Sequence, residues 1–345
     1  MELDACGLGL SEKYREKDAE PPGPEGYFRG KALELGHLAN IPDISWRKLG
    51  PEVQALNAPT HFLNADNWTD DMLSLPLDYA DEKKSAEGKL GRFDHKPIDA
   101  FESGTLIWRA QQFYDLMAAS YKKASGEAPG SKEFVADVQQ ALVYGGLMAH
   151  FIGDASQPFH NTFDHDGYGT GEGGIHSYFE TAVLNEESPK LELDVFAEAP
   201  KMCRKYNLWD KMDAAKKSGK PGAFMARALA ADAYAKLKDL RADDDSLIVV
   251  KSTTAADGKP IPAKRVSPLK AEPKLEPLIE EQLSLSAATL AMLWRSAWEE
   301  GGKPDLSKAG YGDYALEPPF VVPDYDPDAV ARLRAEVKAK AEKKN

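Results

Sequence analysis

Residues 131–156 constrain the fold more than any other stretch. Phe134, Val138, Leu142, Val143, Leu147, Phe151 and Ile152 recur at helical spacing and cover too broad an arc for a one-sided surface helix. Ser131 with Glu133–Phe134 supplies a helix start, and Pro158 a stop. A helix apolar over most of its surface has to be wrapped by other elements, which here are also helical. Residues 103–124 place Leu106, Trp108, Phe113, Leu116, Met117 and Tyr121 at mostly helical spacing. Further helices are predicted near 174–185, 192–216, 222–240 and 277–299. A helical stretch from Tyr27 to Leu49 is expected to break at Pro42.

Strand signals are confined to residues 246–269, where β-branched runs flank Asp257-Gly258 and predict one hairpin inserted between helices. The expected class is all-α: a multi-helix domain over 27–317 with a small β-hairpin insertion. An irregular segment (1–26) precedes it, and an extended tail ending in an exposed helix (318–345) follows. Residues 57–100, rich in Asn, Asp, Pro and Gly, read as loop with short turns.

Composition excludes several functions. A net charge of −13 argues against binding through a broad basic surface, although bound cations would alter the local field. The two cysteines, Cys6 and Cys203, cannot build a disulfide framework, so a zinc site would have to use imidazole and carboxylate. No run of 18 apolar residues predicts a transmembrane segment, and the first twenty residues lack the apolar stretch of a signal peptide. The compartment is undetermined, and no stable protein partner is inferred.

The segment Ala149–Thr181 carries the chemistry. Four of the seven histidines (150, 160, 165 and 176) fall within 27 residues, where random placement would put roughly 0.5. His150 and Asp154 leave the same helical face, and Gln157-Pro158 ends that helix so that His160 can fold back. His176 and Glu180 repeat the four-residue spacing. Neutral imidazole and carboxylate are the ligands zinc accepts when no thiolate is offered. One such pair alone is more often a surface contact; two pairs joined by a proline-terminated turn favour a metal centre.

The segments H-F-I-G-D-A-S-Q-P-F-H and G-I-H-S-Y-F-E resemble the zinc-dependent phospholipase C and single-strand-specific nuclease superfamily. The resemblance implies an all-α fold with two to three zinc ions. It implies that His150 and Asp154 share one zinc with an upstream Asp and His, that His160, His176 and Glu180 hold a second, and that Asp154 bridges toward a third. In A-P-T-H-F, His61 is the upstream histidine. Asp43 is the upstream aspartate and the catalytic candidate, aligning or deprotonating the attacking water, with Asp66 as runner-up. The family's third zinc uses an N-terminal Trp and an early His. Here no Trp precedes Trp46, and Ser11 falls near the histidine position, which puts the third site in doubt.

His37 has a weaker claim as a ligand than as a solvent-facing helix-end residue. His95 reads as a surface residue, and His165 as solvated or indirectly supporting. Arg47 and Arg109 are candidate cations for the leaving group. Phe62, Trp68 and Tyr178 could contact a substrate but read more readily as core packing. The implied activity is phosphodiester hydrolysis on a phospholipid, with nucleotide or single-stranded nucleic acid as the alternative substrate. A catalytically degenerate zinc-binding protein is the third reading. Family members are usually exported.

Overall fold

The computed structural model describes residues 31–186, 191–310 and 315–342. The expected irregular segment 1–26, with Cys6 and Ser11, lies outside them. The described chain is all-α with a small β insertion. Its helices are α1 (Ala32–Ile44), α2 (Pro51–Asn57), α3 (Tyr79–Ala86), α4 (Leu106–Ala124), α5 (Lys132–Ser156), α6 (Ile175–Ser177, continued by a π-helical turn Tyr178–Val183), α7 (Leu191–Lys205), α8 (Leu208–Ser218), α9 (Pro221–Ala235), α10 (Leu237–Asp245), α11 (Pro268–Glu300) and α12 (Pro327–Glu342). No helix among the described residues is long and apolar enough to cross a membrane.

Helix α5 is the buried centre, capped at its start by Ser131 Oγ, which accepts from Phe134 N. Helices α1, α4, α9 and α11 pack around it. Gly146 permits the closest of these approaches, because a Cβ at that position would lie 2.5 Å from Leu38 Cβ. This contact brings Asp43, on α1, toward His150, on α5. A second, smaller core joins Phe159, Ile175, Phe179 and Val183 to Leu237, Leu240, Leu275 and Ile279. It anchors the helix that carries His176 and Glu180.

Several boundaries differ from expectation. Helix α1 runs through Pro42 instead of breaking there, because Leu35, Leu38 and Ile41 are buried and Asn57 Nδ2 donates to the Pro42 carbonyl. The stretch 192–216 divides at Asn207, which adopts left-handed φ. The stretch 222–240 divides at Lys236. Helix α11 starts earlier and passes Pro273 and Pro277. Both prolines are on its exposed face, where carbonyls that lose a partner meet water. Within 57–100, α3 forms with Asp78 as its cap. The tail helix α12 is not exposed on all sides: Ala329, Val330 and Leu333 are buried in the main core. The preceding tail segment packs Phe320, Val321 and Val322 against that core.

The hairpin forms where Asp257-Gly258 indicated. Strands β1 (Ile248–Val250) and β4 (Lys264–Arg265) pair antiparallel, as do β2 (Thr253–Thr254) and β3 (Pro260–Ile261) nearer the tip.

Helix α3 also buries Glu82, which is 1% exposed. Burial pushes its carboxyl up to about 7, against the opposing pull of Trp68 and Lys89. A raised folded-state value means that its favourable contribution is full below the ordinary 4.5 and lost as pH rises through about 7. The expected result is that Glu82→Gln is more stable than wild type at pH 8, by up to about 3 kcal/mol. The advantage should shrink as pH falls to 5. Urea unfolding at both values checks this, and a pH-independent difference would contradict it.

Candidate metal centre

Two groups of side chains converge at the C-terminal end of α5. Asp43, His61 and His150 form the first and His160, His176 and Glu180 the second, each with one ligand atom per residue all within 4.8 Å of one another. Asp154 lies between them. Its Oδ2 is 3.1 Å from His61 Nδ1 and 3.2 Å from His150 Nε2, while its Oδ1 is 3.2 Å from His160 Nδ1. All seven residues expected as ligands are therefore gathered in one place.

Local structure explains the convergence. Gln157 is extended and Pro158 starts a 3₁₀ turn, Pro158–Asn161. Asn161 Nδ2 donates back to the Ala155 and Gln157 carbonyls, which fixes the reversal that turns His160 toward Asp154. His61 sits on another 3₁₀ turn, Ala58–His61. That turn is tied down by Thr105 N to Pro59 O and by Leu63 N to His160 O, both 2.7 Å. Gly104, at φ +109, is needed beside it: a Cβ there would fall 2.3 Å from the Phe62 carbonyl.

Hydrogen bonding decides which atoms face inward. His150 Nδ1 lies 2.8 Å from the Ala39 carbonyl, an acceptor only, so Nδ1 carries a proton and Nε2 is turned to the cluster. That Nε2 is 2.8 Å from His61 Nδ1. In the second group His160 Nε2 and His176 Nε2 are 3.0 Å apart, and Glu180 Oε2 is 2.7 Å from the latter. Gln157 Nε2 donates to the same Glu180 oxygen at 2.8 Å. Among the described residues, His61 Nε2 is buried without a hydrogen-bond partner.

The electrostatics point the same way. Burial opposes charge on Asp154, yet His150 and His160 hold it well below the usual carboxylate range. Burial likewise opposes the His160 cation, which Asp154 and Glu180 nonetheless push up to about 10. His150 is raised, against burial, by Asp154 and Asp43. Glu180 is lowered, also against burial, by His160 and His176. Burial prevails only at His61, whose value falls. The cluster crowds acceptors together and draws in positive charge, which protons or divalent ions can supply. The donor set of imidazole and carboxylate oxygen suits zinc.

The remaining candidates fall elsewhere. Asp66 accepts from Thr162 Oγ1 and Phe163 N, so it braces the loop after His160. His37 meets the Leu316 carbonyl, and His95 is exposed; neither belongs to a ligand group. Arg109 is fully buried, with its guanidinium 4.6 Å from the Phe113 ring centroid and donating to the Val321 carbonyl. It is part of the core and cannot reach a leaving group. Trp68 is buried, and Tyr178 donates to the Val266 carbonyl. Phe62 differs from the packing expectation: with Arg47, Gln54, Asn57, Asn64 and His165 it lines a cavity of about 430 Å³ over His61, His160 and His176. Sequence reasoning missed the Ala39 carbonyl, which no side-chain pattern marks. It also missed the ligand-orienting role of Gln157, although that residue stands inside the motif.

The fold and site thus define an all-α protein with two carboxylate–imidazole groups that could hold metal ions. No family model matches the chain, and no solved structure matches it. Among curated proteins it is similar to one named a probable serine protease, from Bradyrhizobium tropiciagri. The two are 28% identical over 200 residues, covering 45% of this chain and 24% of that protein. The chain therefore spans about a quarter of that relative's length.

Proposed function

We propose that the protein is a zinc-dependent hydrolase of phosphodiester bonds, phospholipase C-like in its reaction. The observation that carries the reading is the pair of ligand groups joined through Asp154 beneath an open cavity. Asp43, His61, His150 and Asp154 would hold one zinc and His160, His176 and Glu180 a second. Zinc supplies Lewis acidity and hydrolytic chemistry at neutral pH.

The chain's own groups do the rest. Asp43 is the most open carboxylate of the first group, with its side chain 40% exposed; it takes the proton from the water that attacks phosphorus and returns it to the alkoxide that leaves as the ester P–O bond breaks. Arg47, 2.6 Å from Asp43 Oδ1 and 63% exposed, offers its guanidinium to the phosphoryl oxygens. Gln157 and the Ala39 carbonyl fix the orientation of Glu180 and His150. Hydrolysis is also what the name of the Bradyrhizobium relative denotes. The serine-protease reading itself has little support here. The histidines of the cluster pair with carboxylates, a carbonyl and one another, and none with a serine hydroxyl among the described residues.

A second reading, a single-strand-specific nuclease, is favoured by the cavity lining. Phe62 beside the amides of Gln54 and Asn64 could stack on and hydrogen-bond a base. Turnover of short-chain phosphatidylcholine and of single-stranded DNA, at matched zinc and salt, separates the two. The expected result is faster hydrolysis of the phospholipid. Efficient DNA cleavage with intact lipid would replace the leading reading, and zinc binding with neither activity would make the protein a degenerate binder.

A further inference from the structure

The hairpin between α10 and α11 has no part in the chemistry above, and its surface differs from the rest of the chain. Val249, Val250 and Ile261 are exposed at 67%, 52% and 44%. Register shifts between Ile248 and Val250, so two consecutive valines emerge at a bulge, a device that re-aims side chains. Residues 247–266 carry three lysines and one arginine against one aspartate, in a chain whose net charge is −13. Arg265 is committed inward, paired with buried Asp244. Lys251 and Lys259 pair with the exposed aspartates 245 and 257, and Lys264 is exposed.

The hairpin is also fastened beside the second ligand group. Ser252 N donates to Gly171 O and Ala263 N to Gly173 O. Arg265 donates to the carbonyls of Glu172 and Gly173. These residues immediately precede α6, which bears His176.

We propose that this hairpin is a membrane-surface anchor that seats Val249, Val250 and Ile261 in the interface of an anionic bilayer, with Lys251, Lys259 and Lys264 at the headgroups. Aliphatic tips gain by leaving water at a lipid interface, and lysines near an anionic surface add attraction that salt screens. The partner is lipid and not single-stranded nucleic acid, because residues 247–266 contain no aromatic ring on which a base could stack. The inference rests on the hairpin alone and not on phosphodiester hydrolysis.

The test is co-sedimentation of the full chain with vesicles of phosphatidylcholine alone or with about one-third phosphatidylglycerol, a composition that sets the surface charge. Binding is measured, not turnover, so a protein that cuts no substrate still gives an answer. Wild type should partition onto the anionic vesicles and release in high salt. Lys251→Glu/Lys259→Glu/Lys264→Glu and, separately, Val249→Ser/Val250→Ser/Ile261→Ser should each bind about tenfold or more weakly with unchanged thermal melting. If wild type ignores anionic vesicles, or both variants bind as well as wild type, the proposal fails. Hairpin-dependent binding of single-stranded DNA without vesicle binding would overturn it as well. Should one variant unfold, the other and the wild-type lipid dependence still decide.

Discussion

Asp154→Asn is expected to remove both metal ions and to lower phosphodiester turnover by roughly four orders of magnitude, about 5 kcal/mol of barrier. The substitution keeps the side chain's shape and deletes its charge. In the wild-type protein one oxygen of Asp154 faces His61 and His150 while the other faces His160, so a single residue serves both groups. Its neutral isostere leaves those imidazoles crowded with no anion between them. Breaking a buried charge network from one side costs about 3–5 kcal/mol. A second observable separates this from general damage. Wild type should lose thermal stability when a chelator is added, since ligand at about 1,000 times its Kd contributes about 4 kcal/mol. The variant should melt at the same temperature with and without chelator. Undiminished activity, or a melting temperature that still falls with chelator, contradicts the shared role.

His176→Ala and Glu180→Ala should each cost roughly two to three orders of magnitude in turnover while leaving the first group filled. The four residues Asp43, His61, His150 and Asp154 remain intact in these variants, so metal content should fall by about half and not to zero. His95→Ala should stay within about twofold of wild type, because surface changes away from special features perturb little. His165→Ala should stay within about tenfold, with its effect in KM, because the ring lines the cavity without joining a ligand group. Measured kcat, KM and metal content for the four variants form the check. Equal damage from all of them would show that the ligand groups are misassigned.

The candidate site was unusually legible because its residues sit on regular spacings. His150 and Asp154 share a helix face, Pro158 forces the reversal, and His176 and Glu180 repeat the interval. Asp43 and His61 were harder to see, since they reach the cluster only through the α1–α5 contact at Gly146 and the turn braced by Gly104. Long-range contacts of that kind leave no local periodicity. The same limit explains Arg109: a residue named as a candidate cation for the leaving group is buried among Phe113, Phe151 and Phe320 because the tail segment folds over it. Tertiary packing also carried α1 past Pro42 and drew α12 onto the core, against propensities read one segment at a time. The hairpin, by contrast, was marked by a local turn signal and formed around it.

Zinc content tests the central claim most directly. The chain, expressed with zinc, desalted and assayed by plasma mass spectrometry, is predicted to retain about two zinc ions per molecule, one for each ligand group. Less than about one zinc per chain, with the fold intact by circular dichroism, would contradict the account.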